Sequence, residues 1–121
     1  MAKDENPKRY DLEDRTFQFA KQVRALVKKL PRTLANIEDS RQLIKASGST
    51  GANYIEANEA LSKKDFLMRI KICRKESKES RFFLRLLDTG EDKALEAERL
   101  RLMEEAGELT KIFGAIVRKS E

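Results

Sequence analysis

The chain has no histidine and no tryptophan, and only one cysteine, two prolines and five glycines in 121 residues. Without histidine, the commonest general base, the Ser-His-Asp and Cys-His arrangements and the commonest zinc ligand are all missing. No catalytic set, cofactor or metal site is therefore expected. A single cysteine, Cys73, excludes an intrachain disulfide. Its place on an apolar helical seam reads as a small buried hydrophobe rather than a reactive thiol. Lack of a disulfide and of a secretory signal pattern leads to the expectation of a cytoplasmic protein. No apolar run approaches the ~20 residues that cross a bilayer, so no membrane partner is expected. So few prolines and glycines mean few turns and long elements.

What is present is charge. Charged residues make up 39% and hydrophobic residues 40%, against an ordinary charged share of about 25%. That balance suits a small all-helical protein with long solvated faces, and the length suits one domain.

Lys63 to Leu87 is the most informative segment. Phe66, Ile70, Cys73, Ser77, Ser80, Leu84 and Leu87 are spaced 4, 3, 4, 3, 4, 3. Such spacing marks the seam of a helix packed in a bundle. Beside the seam run Lys64, Lys71, Lys78 and Arg85 at seven-residue intervals, with Arg74, Lys75 and Arg81 between them. Residues 63–88 hold 9 basic and 4 acidic groups, a balance equal to the net +5 of the whole chain. A concentrated field of this sign attracts polyanions or an acidic protein surface. It is equally the look of a solvated helix face, since Asp65, Glu76 and Glu79 lie on the same helix.

Three further helices follow from similar patterns. Residues 1–11 read as a flexible leader, with Asp11 as a cap and Asp14 three residues on. Leu12, Thr16, Phe19, Val23, Leu26 and Leu30 predict a first helix over about 12–30. Pro31 breaks it. A second helix starts near Arg32 or Thr33 and runs to about Leu61. Ser47-Gly48-Ser49-Thr50-Gly51-Ala52-Asn53 falls inside it, where glycine costs ~1 kcal/mol per residue. A kink, or a stop and restart with Asn53 as a new cap, is expected there, with the small residues letting another backbone come close. Ser62 and Asp65 start the third helix, Asp88-Thr89-Gly90 ends it, and Thr89 with Asp92 begins the fourth. Leu95, Arg99, Leu102, Ala106, Leu109, Phe113 and Ile116 form the fourth seam. Short links between four helices predict an antiparallel up-down four-helix bundle over 12–119.

Other motifs carry less. The glycine-rich piece lacks the Gly-Lys-Ser/Thr of a phosphate loop and follows no strand. Glu56, Glu59, Glu76 and Glu79 have no histidine to complete a bundle metal site, and alternate with lysine and arginine as solvated faces do. Phe82, Phe83 and Leu86 make the end of the third helix apolar around most of its girth. That end forms either a wide intramolecular core or a subunit interface. The basic residues Lys64, Lys71, Arg74, Lys75, Lys78, Arg81 and Arg85 are the candidate binding set, suited to phosphates rather than to reading bases.

Several stretches together resemble a known family. They are Leu30-Pro31-Arg32-Thr33, Ser47 through Ala57, Lys64-Asp65-Phe66, Lys75 through Arg81 and Leu84-Arg85-Leu86-Leu87. In this order the chain is similar, over about residues 12–117, to the four-helix-bundle proteins encoded in intervening sequences of bacterial 23S ribosomal RNA. Thr50-Gly51 replaces the Ser-Ile or Ser-Val pair usual there, and Phe82-Phe83 stands where Tyr-Trp is common. The resemblance implies a ring-like homo-oligomer, a pentamer, with no settled activity. A related branch is the accessory variability-determinant proteins of diversity-generating retroelements. It implies the same fold with a reverse transcriptase and nucleic acid, RNA or DNA, as partners. Read this way, the chain is a non-enzymatic oligomeric bundle protein that binds nucleic acid through its basic stripe. The alternative is a protein-interaction adaptor.

Overall fold

The computed structural model of the chain describes the backbone of residues 7–121 and the side chains from Leu12 onward. It contains four helices: α1 (Pro7–Lys29), α2 (Leu34–Asn58), α3 (Lys63–Leu86) and α4 (Lys93–Ser120). Neighbours in sequence are neighbours in space. The contacts α2–α3 and α3–α4 are extensive, α1–α2 is smaller, and α1–α4 closes the ring most lightly. The diagonal helices do not approach backbone to backbone among the described residues. This is the expected all-α up-down bundle.

Two boundaries depart from expectation. α1 begins at Pro7, not near residue 12. Proline is favoured at the first helical position, where its missing N–H costs nothing, so Asp11 lies inside the helix instead of capping it. Of the expected leader, residues 1–6 lie outside the described residues. α2 runs without a stop through Ser47–Asn53, and Asn53 caps nothing. The polar side chains bond back to their own helix instead of breaking it. Ser47 Oγ donates to the Ile44 carbonyl at 3.3 Å, Thr50 Oγ1 to Ala46 at 3.1 Å and Asn53 Nδ2 to Ser49 at 2.9 Å. The close approach is present: a Cβ added at Gly51 would lie 3.1 Å from Thr16 Oγ1 of α1.

Caps set the other helix starts. Thr33, Ser62 and Asp92 are the N-caps of α2, α3 and α4, accepting from the N–H of Asn36, Asp65 and Leu95 at 3.0–3.1 Å. Thr89 is therefore not the cap of α4. The left-handed Gly90 (φ 69°) turns the chain between α3 and α4, a conformation that suits a residue without Cβ.

The core joins all four helices. Phe19, Val23 and Leu26 of α1 and Leu43 of α2 are fully buried with Ile70, Cys73 and Leu84 of α3 and Leu102, Leu109 and Phe113 of α4. Each such aliphatic or aromatic side chain contributes roughly 1.5–3 kcal/mol. Tyr54 of α2 meets Phe113 across the bundle, with ring centroids 5.8 Å apart. Cys73 donates from Sγ to the Thr50 carbonyl at 3.4 Å, and burial pushes its thiol up to about 12. It is the inert core residue that its seam position predicts.

One end of the bundle is tied by polar side chains. Buried Asn36 donates to the carbonyls of Pro31 (2.9 Å) and Asp88 (2.8 Å) and accepts from the Asp88 N–H (3.0 Å). One side chain thus joins the α1–α2 link to the α3–α4 link. Beside it the Glu96 carboxylate accepts from the Thr89 hydroxyl at 2.8 Å and from Arg99 at 2.7 and 2.8 Å. Arg99 also donates to the Leu84 carbonyl at 3.1 Å, satisfying the C-terminal end of α3.

Two outcomes follow. Asn36→Ala removes three hydrogen bonds to partly buried backbone groups on two links, so it is expected to destabilise by about 2–4 kcal/mol in urea denaturation. A loss below about 1 kcal/mol would show that the clip is replaceable by water. The hydrogen bonds from Arg99 and Thr89 hold the Glu96 carboxyl down to about 2, from an ordinary 4.5. Its stabilisation is present above the unfolded value and is lost as pH falls from about 4.5 towards 2. The melting temperature should fall across that window, and Glu96→Gln should flatten this part of the profile.

Candidate functional site

α3 is the most extensively packed of the four helices. It packs against α2 and α4, is capped by Ser62 at its start, and has its last carbonyls bound by Arg99 of α4. Its seam residues Ile70, Cys73, Ser77, Ser80 and Leu84 are buried, as is Leu87 just beyond, with Phe66 partly so. Stepping back two positions from each seam residue gives Lys64, Met68, Lys71, Lys75, Lys78, Phe82 and Arg85. Two residues are about 200° of helix, so this second row lies opposite the core. All seven are exposed. The row is about 32 Å long at 1.5 Å per residue and contains five cations and no carboxylate.

The structure therefore brings Lys64, Lys71, Lys75, Lys78 and Arg85 into one line. Arg74 and Arg81 stand beside it on the α4 side, and their position has a specific cause. A Cβ at Gly114 would lie 3.7 Å from Arg74 Cδ, and one at Gly107 would lie 3.9 Å from Arg81 Cδ. Two glycines seven residues apart on α4 thus form ledges for two arginine stems seven apart on α3. Long cationic side chains favour this kind of packing, with the stem on the protein and the charge in water.

Little neutralises these groups. Lys71 is 3.7 Å from Glu121, an exposed pair worth little, and Lys75 is 4.0 Å from Glu76, at the limit of an ion pair. Among the described residues no ion pair holds Lys64, Arg74, Lys78, Arg81 or Arg85. The acids of α3 lie off the row. The Glu76 side chain is only 16% exposed, and burial first, then the Glu79 charge, raises its pKa.

The three apolar residues at the end of α3 separate. Phe83 turns inwards against the core cluster. Phe82 stays 54% exposed and Leu86 50% exposed. The Phe82 and Phe83 rings meet edge to face, with centroids 5.2 Å apart at 78°. Two grooves flank the row. One, of about 460 Å³, runs between Lys64, Lys71 and Lys75 over Leu67, Met68 and Ile72. The other, of about 340 Å³, lies between α3 and α4 and is lined by Lys78, Arg81, Phe82, Arg85, Gly107, Thr110 and Lys111. Lys111, the two glycines and Met68 were not among the residues singled out by sequence. Gly107 and Gly114 carry the one usable signal, a spacing that matches Arg74 and Arg81.

Elsewhere the chemistry is structural. The α1–α4 groove holds the bidentate Arg15–Glu105 pair at 2.7 and 2.9 Å, and Lys29 meets Glu98 at 2.7 Å along the same seam. Among the described residues no group of three or more His, Cys, Asp or Glu is placed to hold a metal ion. No helix there is long and apolar enough to cross a membrane.

No curated protein matches the chain. A solved structure does: a protein of unknown function from the S23 ribosomal protein family of Bacteroides thetaiotaomicron VPI-5482. It is 27% identical, with a TM-score of 0.74 over 88% of this chain and 97% of that one. Residues 8–115, nearly the whole bundle, match the family described as 23S rRNA-intervening sequence protein, and the chain belongs to that family.

Proposed function

We propose that this protein is a non-enzymatic nucleic-acid-binding bundle that engages phosphates along the outer face of α3. The observation that carries this reading is the row Lys64, Lys71, Lys75, Lys78 and Arg85, about 32 Å of helix at 1.5 Å per residue with no carboxylate on it. Arg74 and Arg81 widen the row on one side. Rigid placement between α2 and α4 means that little side-chain and backbone order has to be gained on binding. Loose ion pairing means that few internal partners must be displaced. An acidic protein surface is the rival occupant of the row.

Binding through phosphates releases counterions and so weakens steeply with salt. Five contacts on a single strand give a log–log slope of about −3.5, or roughly 100-fold between 50 and 200 mM salt. Fluorescence anisotropy with labelled RNA and DNA should show this dependence. Lys71→Glu, Lys78→Glu and Arg85→Glu together should abolish binding while the helical circular dichroism stays unchanged. If wild type binds no nucleic acid at about 50 mM salt, where such contacts are strong, the reading is wrong. Co-purification of an acidic protein that survives nuclease treatment would then favour the rival.

We also infer self-association, a ring-like homo-oligomer as the family resemblance implies. Support comes from Leu86, 50% exposed at the last turn of α3, and from Leu100, 51% exposed on α4. Phe83 packs partly against the core, which leaves less of its ring for such a contact. Leu86→Glu should lower the mass seen by light scattering without loss of helicity. An unchanged mass would remove Leu86 from the interface.

A further inference from the structure

We infer that the row takes single-stranded rather than double-stranded nucleic acid, with Phe82 as the platform on which one unpaired base stacks in the α3–α4 groove. This rests on the nucleic-acid reading above and adds the strand type and the residue that selects it. The observation behind it is a half-exposed aromatic ring set in a line of cations. Phe82 occupies the outward row between Lys78 and Arg85, about 6 and 4.5 Å along the helix axis. Arg81 stands beside it on its Gly107 ledge, and Lys111, 3.5 Å from Glu108, lines the same groove from α4.

A duplex presents phosphates and hides the faces of its bases. A surface built for it gains from the cations but gains nothing from an exposed phenyl ring among them. A single strand presents phosphates and base faces together. Every base has a face that stacks on an aromatic ring, whatever the sequence. Phe82 meets that demand in its setting. Its edge-to-face contact with Phe83 fixes it from below, since Phe83 is itself packed on the core. More than half of its surface remains in solvent. The groove beside it, about 340 Å³, has the volume of a small-ligand site.

A two-fold contact between copies through Phe82 is opposed by the same surroundings. It would bring Lys78, Arg81, Arg85 and Lys111 against their own copies, like charge on like. A planar ligand that carries negative charge satisfies the ring and the cations at once.

The chain has no tryptophan, so Phe82→Trp creates a lone emission reporter at the ring itself. The experiment uses labelled 12-nucleotide strands of RNA and of DNA, each alone and annealed to its complement, in parallel arms that also decide which sugar is preferred. Single strands should bind wild type on the order of tenfold more tightly than duplexes, as expected for one stacked base. Phe82→Ala should lower single-strand affinity by about 5- to 100-fold. It should leave duplex affinity and the salt slope within about twofold, because it removes no phosphate contact. Phe82→Trp should keep single-strand affinity, and its emission should be quenched by single strands and not by duplexes. This last arm reads the ring directly, whatever the assembly state. Equal affinity for both strand types, no loss in Phe82→Ala, or unmoved emission on saturation would each overturn the inference and leave phosphate binding standing. Failure of wild type to bind any strand at about 50 mM salt would overturn the nucleic-acid reading beneath it.

Discussion

A helix wedged between two neighbours can bury one side only, and this constraint organises the molecule. α3 packs between α2 and α4, and its seam from Phe66 to Leu87 faces inwards. The period of the helix then fixes what faces outwards, since a seam stepping by 4 and 3 has an equally regular row two positions away. In most amphipathic helices that row mixes acids and bases for solubility. Here it holds five cations, a methionine and a phenylalanine. The buried side and the charged side are one pattern seen from two directions.

The seam of α3 and its border with α4 carry the pattern further. Ser77 and Ser80 are fully buried, and each bonds back to its own helix, to Cys73 and Glu76, at 2.8 Å. Small seam residues of this kind let neighbouring helices sit close. On α4, Gly107 and Gly114 leave room at the surface for the stems of Arg81 and Arg74. The same close packing that stabilises the bundle therefore raises two arginines beside the row of lysines. At the far end, Arg99 binds the last carbonyls of α3 and is held by Glu96, which is held by Thr89. The cationic helix is fixed at both ends and along its length. The α1–α4 seam, bridged by Arg15–Glu105 and Lys29–Glu98 at its surface, is the lightest contact in the ring.

The periodicity of the sequence was enough to read the four helices, their seams and the basic row, because these depend on spacing along one helix. Caps with a side-chain oxygen directly before a periodic run, such as Ser62, were readable for the same reason. Where a kink or a restart was expected, α2 runs on without a stop. Propensity scores Gly51 as a cost, but the gain lies on another helix, where a Cβ would crowd Thr16 at 3.1 Å. Asn36 was invisible for a related reason. It looks like an ordinary polar residue near a helix start, yet it serves backbone groups of the α3–α4 link 52 residues away. The split between Phe82 and Phe83 could not be read from their adjacency, since neighbours on a helix point about 100° apart and only the packing of α3 decides which enters the core.

The outward row also has an energetic cost. Lys71 with Lys75, Lys75 with Lys78, and Arg81 with Arg85 are like-charge neighbours at helical spacing, each unfavourable by a few tenths of a kcal/mol. Carboxylates placed at Lys75 or Lys78 would turn the same spacing into attraction. Glu76 and Glu79 are available on the helix, yet they stand off the row, with Glu76 partly buried. Exposed Glu79, four residues after Lys75, offsets part of this cost from the flank of the row. This local conflict, on the most extensively packed helix, is what motivates the proposed binding role of the row. Under the proposed reading, a polyanion laid along α3 relieves this repulsion as it binds, so the cost carried by the free protein is recovered in the complex.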